Sequence, residues 1–168
     1  KVNSIIPVAG VPTGGGGGVI QVLSATKTNT FSTSNNSFTD IPSLSVTITP
    51  TSSSSKILVF GHCTGNGDGG TRVNFRLVRG STAICIGDAN QDRVRAFGGI
   101  YAPNNDNTTE TVSYVHLDSP STTSATTYKV QVVNGDSNTV YVNRSDSFSN
   151  HVTHNSGTSS ITVMEVSA

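Results

Sequence analysis

The last third of the chain alternates apolar with small polar residues at a period of two. Three runs show this pattern, over residues 117–132, 140–145 and 159–166, and each is bounded by Gly, Pro, Asn, Asp or Ser. A period of two places successive side chains on opposite faces of a strand, and the bounding residues are those that form tight turns. The pattern predicts an antiparallel β protein.

Earlier runs extend the same pattern. Residues 19–26, 43–49 and 56–63 predict three strands, and the alternation over 72–87 predicts a hairpin. The glycine cluster at 65–70 contains Asn-Gly and Asp-Gly pairs, which supply the positive φ angles of a hairpin connection. Eight to ten such strands, with the first and last adjacent, predict an all-β antiparallel β-sandwich of the jelly-roll type over residues 19–168.

Two of these strands carry apolar side chains on both faces. In the run 56–63, Ile57 and Val59 point one way while Leu58 and Phe60 point the other. The terminal strand has the same double-sided pattern, which indicates one face on the sandwich core and one on a partner chain. The predicted oligomer interface consists of Leu58, Phe60, Met164 and Val166.

Residues 1–18 form a separate zone with two prolines and a run of five glycines. Such a tract is neither a helix nor an ordinary strand. We expect an extended N-terminal arm that anchors the domain to a neighbouring protein, followed by a glycine hinge. The alternative is a disordered tail with a flexible linker. The predicted anchor residues are Val2, Ile5, Ile6, Val8 and Val11.

Composition limits the classes of partner. Hydrophobic residues make up 33% and charged residues 12% of the chain, and the formal net charge is zero, so nucleic-acid binding is not expected. The sequence lacks the run of about eighteen apolar residues that a membrane helix needs, so membrane insertion is not expected either. A surface of Ser, Thr and Asn with so few charges suits strands buried between subunits, which favours oligomerisation.

Signals for catalysis are weak. The chain has two glutamates, Glu110 and Glu165, and its aspartates sit in turn-like segments, so it shows no acid/base pair of glycosidase type. A Gly-x-Ser-x-Gly motif is also missing. We therefore expect no enzyme activity, no catalytic residue and no cofactor.

Metal sites are not expected, and the cysteines predict no chemistry. His151 and His154 are three residues apart, which on a strand would send them to opposite faces. Loops rich in Asp and Asn at 88–92 and 104–107 leave Ca²⁺ open as an alternative, although these residues are also default turn formers. Cys63 and Cys85 fall in strand-like runs and read as buried, reduced thiols.

Surface recognition would use the loops predicted at 65–71, 87–109 and 145–157. They combine Asn, Asp, Ser and His with isolated aromatic rings, which is what a carbohydrate site requires, and they equally resemble tolerated insertions. Arginines beside them could bind an anionic sugar or form a solvated face with intersubunit pairs. The candidate ligand-binding residues are Arg93, Arg95, Phe97, Tyr101, Phe148 and His151.

Five segments carry a resemblance to a known family. They are LDSPSTTSATTYKVQV, VYVNRS, SSITVMEV, FTDIPSLSVTITPTSSSSKILV and FRLVRGSTAI. Taken in their order along the chain, they resemble small virion proteins of bacteriophages that infect cyanobacteria and other aquatic bacteria, over residues 19–168. The resemblance implies a phage structural protein of tail-fibre or capsid-appendage type, located in the virion and assembled in the host cytoplasm. The strand pattern also looks like the trimeric jelly roll of complement globular heads and tumour necrosis factors, as an analogy of fold. The resemblance to fibre heads implies a homotrimer.

These expectations combine into one leading hypothesis and two alternatives. The leading one is a non-enzymatic virion protein, a homotrimeric head of a short tail fibre or capsid fibre, held to other virion proteins by its arm and attaching to host-surface glycan. The first alternative is a capsid decoration or cement protein that stabilises the shell. The weaker alternative is a glycan-active hydrolase of tailspike type.

Overall fold

The computed structural model describes residues 18–102 and 107–167, and the regular structure in these ranges consists of β-strands. The strands are β1 (Val19–Lys27), β2 (Phe31–Thr33), β3 (Thr39–Ile48), β4 (Lys56–Gly67), β5 (Thr71–Arg79), β6 (Thr82–Ile84), β7 (Gly98–Ala102), β8 (Glu110–Asp118), β9 (Thr126–Asn134), β10 (Val140–Val142) and β11 (Ser159–Val166). No helix in these ranges is long and apolar enough to cross a membrane.

The strands form two antiparallel sheets. In the first sheet β4 pairs with β8 on one side and with β11 on the other, and β1 pairs with the outer edge of β11. The short strands β10 and β2 continue this sheet where the pairing with β11 stops. The second sheet has the order β3, β9, β5, with β6 and β7 both on the far side of β5. The predicted β-sandwich is confirmed, and the first and last strands are adjacent.

The core lies between the inward faces of the two sheets. One residue in two points inward along each central strand, so the predicted alternation in β4 is confirmed, with Ile57, Val59 and Cys63 fully buried. Each fully buried apolar side chain contributes about 1.5–3 kcal/mol, so this layer is the main source of stability. The other central strands contribute Val73, Phe75, Leu77, Tyr128, Val130, Val132, Ile161 and Val163.

Both cysteines are free thiols, as the sequence suggested. Cys63 is buried in β4, and burial raises the pKa of its thiol. Cys85 follows β6 and is half-buried, and burial raises the pKa of this thiol too. Neither thiol has the lowered pKa that makes a cysteine nucleophilic.

Three predictions of local structure were wrong. β4 continues to Gly67, so the hairpin turn is confined to residues 68–70 instead of 65–70. β3 begins at Thr39 rather than at residue 43, because an irregularity in its pairing with β9, where Ser43 has a φ of 64°, interrupts the alternation. The predicted loop 87–109 contains β7, whose opening Gly-Gly pair gave no apolar signal.

Gly61 lies in the middle of β4, and its neighbours leave no room for a side chain. A Cβ atom there would lie 2.1 Å from the carbonyl oxygen of Ser160 and 2.8 Å from the hydroxyl of Tyr114. That hydroxyl donates a hydrogen bond to the Ser160 carbonyl at 3.2 Å. The glycine therefore makes the space in which Tyr114 ties β8 to β11 across β4.

We expect Gly61→Ala to lower the free energy of unfolding by about 2 kcal/mol, as overpacked cores do. The backbone carbonyl cannot move aside without breaking the β4–β11 pairing. Gly87→Ala is the matched control, because a Cβ at Gly87 meets nothing within 4 Å. Urea denaturation of both variants at one protein concentration measures the difference. Equal midpoints for the two variants would contradict this account of Gly61.

Candidate functional site

The outward side chains of the first sheet form an apolar surface across four strands. The strand register places Val22 of β1 opposite Met164 of β11, Met164 opposite Leu58 of β4, and Leu58 opposite Leu117 of β8. We call this surface the apolar outer face. Its members are Val22, Leu58, Phe60, Val115, Leu117, Met164 and Val166.

Solvent reaches this face in the single chain. Val115 is 67% exposed and Leu117 is 58% exposed, at the β8 edge, and Val22 is 51% exposed at the β1 edge. Leu58 and Met164 between them are half-buried by their neighbours. Monomeric proteins rarely expose contiguous apolar patches of this kind without a function.

The four residues predicted as an oligomer interface lie together on this face, so the double-sided pattern located one surface. The sequence reasoning missed Val22, Val115 and Leu117. In residues 111–117 the inward positions hold Val112 and Tyr114, and the outward positions change from Thr111 and Ser113 to Val115 and Leu117. The apolar outward pair at 115 and 117 is the signal that could have extended the predicted face.

The face becomes polar towards one end. The next row along the strands consists of Thr26, Ser160, His62 and Ser113. The hydroxyl of Ser160 lies 3.0 Å from Nδ1 of His62, so this end is organised by hydrogen bonds. The apolar part is therefore the half of the sheet nearest to Val19 and Val166.

The chain enters the domain at this apolar end. Gly18 donates its N–H to the Ser167 hydroxyl at 3.0 Å, and Ser167 donates its own N–H to the Gly18 carbonyl at 3.0 Å. The anchor residues Val2, Ile5, Ile6, Val8 and Val11 lie outside the described residues. The strand register puts both ends of the connection between β10 and β11 beside residues 62–65 of β4, towards the opposite end of the sheet.

A buried carboxylate lies on the inward side of the first sheet at the same end as Val19 and Val166. Glu165 of β11 is 0% exposed; its Oε2 accepts a hydrogen bond from Gln21 Nε2 at 2.6 Å, and its Oε1 accepts the N–H and the hydroxyl of Thr51, both at 2.7 Å. Burial raises the pKa of this carboxyl, but the hydrogen bonds from Gln21, Thr51 and Ser55 outweigh it and lower the pKa to about 2. The ionised carboxylate of Glu165 therefore links β11 to β1 and to the turn before β4.

The predicted ligand-binding residues do not form one site. Arg93 and Arg95 are exposed in the loop before β7, and Arg95 Nε donates to the Gly87 carbonyl at 2.8 Å. The ring of Phe97 lies 4.6 Å from Tyr114 and 6.3 Å from Phe75, so it packs against the core instead of facing solvent. Tyr101 is 55% exposed on β7.

Phe148 and His151 line a second loop surface, between β10 and β11, in a cavity of about 400 Å³. The guanidinium of Arg144 lies 4.8 Å from the Phe148 ring. His151 and His154 are in this loop rather than on a strand, with ring centroids 6.1 Å apart. Nδ1 of His154 accepts the Ser149 N–H at 2.9 Å, which holds this ring against the loop backbone.

Metal ligation has no cluster to support it in the described ranges. No group of three or more His, Cys, Asp or Glu side chains there could hold a metal ion. Residues 88–92 are in the loop before β7, and most of the segment 104–107 lies outside the described residues.

Comparison with known proteins finds likeness among solved structures, where 13 chains match. No protein-family model and no curated protein matches the sequence. A chain in the structure of the infectious bursal disease virus Gx strain matches with a TM-score of 0.41 and 14% sequence identity. The match covers 96% of this chain and 45% of that chain, so the protein spans under half of the length of its structural neighbour.

Proposed function

We propose that this protein is a non-enzymatic structural component of a bacteriophage virion, the trimeric head of a short tail fibre or capsid fibre. The observation that carries the proposal is the asymmetry of the sandwich, with an apolar outer face on the first sheet and a polar outer face on the second. The resemblance of residues 19–168 to phage virion proteins supplies the setting. Attachment to host-surface glycan is the task that such a head would perform.

A second copy of the chain is the occupant that we assign to the apolar outer face. The face has one or two apolar outward residues on each of four strands, in three rows about 7 Å apart, so it measures roughly 15 by 15 Å. Its apolar part carries no ionisable group apart from Lys56 at its border, among the described residues. The formal net charge of the chain is zero, so copies do not repel one another. Three copies can therefore bury these faces around a common axis.

The charged residues of the second sheet support placing its outer face in solvent, on the outside of the proposed trimer. Its outward residues include Arg72, which pairs with Asp136 at 3.0 Å, and Lys129, which pairs with Asp40 at 2.7 Å. Exposed ion pairs such as these contribute little stability and keep a surface soluble. A trimer with the first sheet inside leaves them in water.

The positions of the arm and of the β10–β11 connection support separate roles for the two ends of the domain. The arm, residues 1–18, enters at the end that carries Val19 and Val166, and in this proposal it binds other virion proteins. The connection between β10 and β11, with Phe148 and His151, is at the opposite end and would face the host. A head held at one end and exposed at the other is the arrangement that an attachment protein needs.

Removing the protein from the particle that carries it tests this function. We expect particles without it to keep intact shells and to lose adsorption to host cells. The measurements are the heat stability of the shell and the fraction of particles adsorbed, each against particles carrying the normal protein. Fragile shells with normal adsorption would contradict the attachment role and favour a decoration or cement protein.

A further inference from the structure

An open groove lies on the outer face of the second sheet. Its volume is about 630 Å³, and its lining includes Asn36, Phe38, Arg76, Val94 and Ser137. These residues come from the segment before β3, from β5, from the loop before β7 and from the turn after β9. Four separate parts of the chain therefore converge on one concave surface, on the side of the sandwich away from the apolar outer face.

Arg76 is the only charged side chain among the described residues that line this groove. Its guanidinium carbon lies 3.8 Å from the centre of the Phe38 ring, and its Nε donates a hydrogen bond to Gln131 Oε1 at 2.7 Å. These two contacts hold the group in place. A guanidinium has five N–H donors, and within the described ranges Nε makes the one hydrogen bond of this side chain.

The other two arginines of β5 are committed to ion pairs, unlike Arg76. Arg72 Nη1 donates to both carboxylate oxygens of Asp136, at 3.0 and 3.1 Å. Arg79 Nη1 donates in the same way to Asp118, at 2.8 and 2.9 Å. Arg76 has no ion pair in the described part of the chain.

Asp40 is the carboxylate whose charge acts on Arg76, but its oxygens already accept hydrogen bonds from other residues. Asp40 accepts hydrogen bonds from Lys129 Nζ at 2.7 Å and from Gln131 Nε2 at 2.6 Å. Burial lowers the pKa of Arg76, whereas the charge of Asp40 raises it, and arginine stays protonated throughout. The groove thus presents a fixed, partly desolvated cation without a matched anion.

We infer that this groove binds an acidic sugar, with Arg76 holding the sugar carboxylate. The planar donor fork of a guanidinium matches a carboxylate with two parallel hydrogen bonds. Asn36 Nδ2 donates to the Ser137 hydroxyl at 3.2 Å, and the remaining donor and acceptor positions of this exposed pair suit sugar hydroxyls. Val94 offers an apolar contact to ring carbons. This site would define the class of glycan in the attachment role proposed above, and its biological purpose rests on that proposal.

Titration of the ¹⁵N-labelled full chain, followed by amide chemical shifts, tests this site. The probes are glucuronate, neutral glucose and glucose 6-phosphate, which separate carboxylate, uncharged and phosphate recognition. We expect saturable glucuronate shifts at residues of the groove with a Kd of about 1–10 mM, and glucose binding at least about tenfold weaker. Tighter binding of glucose 6-phosphate would overturn the assignment to a carboxylate.

Variants identify the residue. Arg76→Gln removes the charge and the fork while keeping an amide that can face Gln131, and we expect it to weaken glucuronate binding at least about tenfold. Arg72→Gln is the matched control on the same strand and face, and its affinity should stay within about twofold of the normal chain. Equal losses in both variants, or no shifts at about 50 mM glucuronate, would overturn the site. Light scattering on the same samples reports the trimer separately, so the two proposals fail independently.

Discussion

A single charge on the apolar outer face is expected to dissociate the trimer into single chains. Val115 is 67% exposed in the single chain and lies opposite Phe60 in the strand register. In Val115→Lys the new ammonium group remains hydrated in the monomer but would be buried without a partner in the trimer. Uncompensated burial of a charge costs about 3 kcal/mol or more, which is over a hundredfold in each dissociation constant.

Val152→Lys is the matched control for this experiment. It makes the same chemical change at a residue that is 94% exposed in the loop between β10 and β11. We expect this variant to keep the mass of three chains, measured by light scattering on samples of equal concentration. Circular dichroism should show that both variants keep the β-sandwich. If Val115→Lys keeps the trimer mass, subunits do not associate through the apolar outer face.

Replacing the buried carboxylate in Glu165→Gln is expected to lower the free energy of unfolding by about 3 kcal/mol at pH 7. The pKa of Glu165 falls from an ordinary value of 4.5 to about 2 in the folded chain, and each unit corresponds to about 1.4 kcal/mol. A glutamine at this position turns an N–H₂ group towards donors, because Gln21 and Thr51 already donate to both oxygens. Denaturation at a fixed protein concentration measures the loss, since the proposed association would also contribute to stability.

The same carboxylate predicts a dependence of stability on acid. Because its folded pKa is depressed, the unfolded chain binds the proton more tightly, and the contribution is fully present above about pH 4.5. It is lost progressively as the pH falls towards 2. The difference in stability between the normal chain and Glu165→Gln should therefore shrink over this range.

Asp40→Asn is the matched control, because Asp40 is 52% exposed and pairs with Lys129 at the surface. We expect it to cost less than about 1 kcal/mol at pH 7. A loss as large as that of Glu165→Gln would contradict the importance assigned to burial. A constant gap between the normal chain and Glu165→Gln from pH 7 to about 2 would contradict the depressed pKa.

The fold could be predicted from period-two alternation because most strands bury one face in the core and leave the other face to solvent. The interface candidates Leu58, Phe60, Met164 and Val166 followed from the exception, strands that are apolar on both faces. Their neighbours Val22, Val115 and Leu117 needed the strand register, which depends on hydrogen bonds between distant segments and leaves no local signal.

The groove of Arg76 could not be predicted for a related reason. The alternation of β5 placed Arg76 on the same polar face as Arg72, and the sequence does not show which arginines of β5, Arg79 at the turn included, pair with a carboxylate. The difference is the position of Asp136 and Asp118, which pair with those two arginines across the fold. Phe97 was predicted to face a ligand because it lies in a polar loop. Its ring instead packs against Tyr114, because the loop folds back over the core.

The absolute mass of the protein in solution tests the central claim most directly. It should be measured by light scattering on the full chain and on a chain that lacks residues 1–17, which keeps the bonds between Gly18 and Ser167. The account predicts three times the mass of the respective single chain in both samples, which for the full chain is about three times 17.4 kDa, because the apolar outer face lies within the described domain. The mass of a single chain in both samples would contradict it, and a trimer that depends on residues 1–17 would assign association to the arm instead.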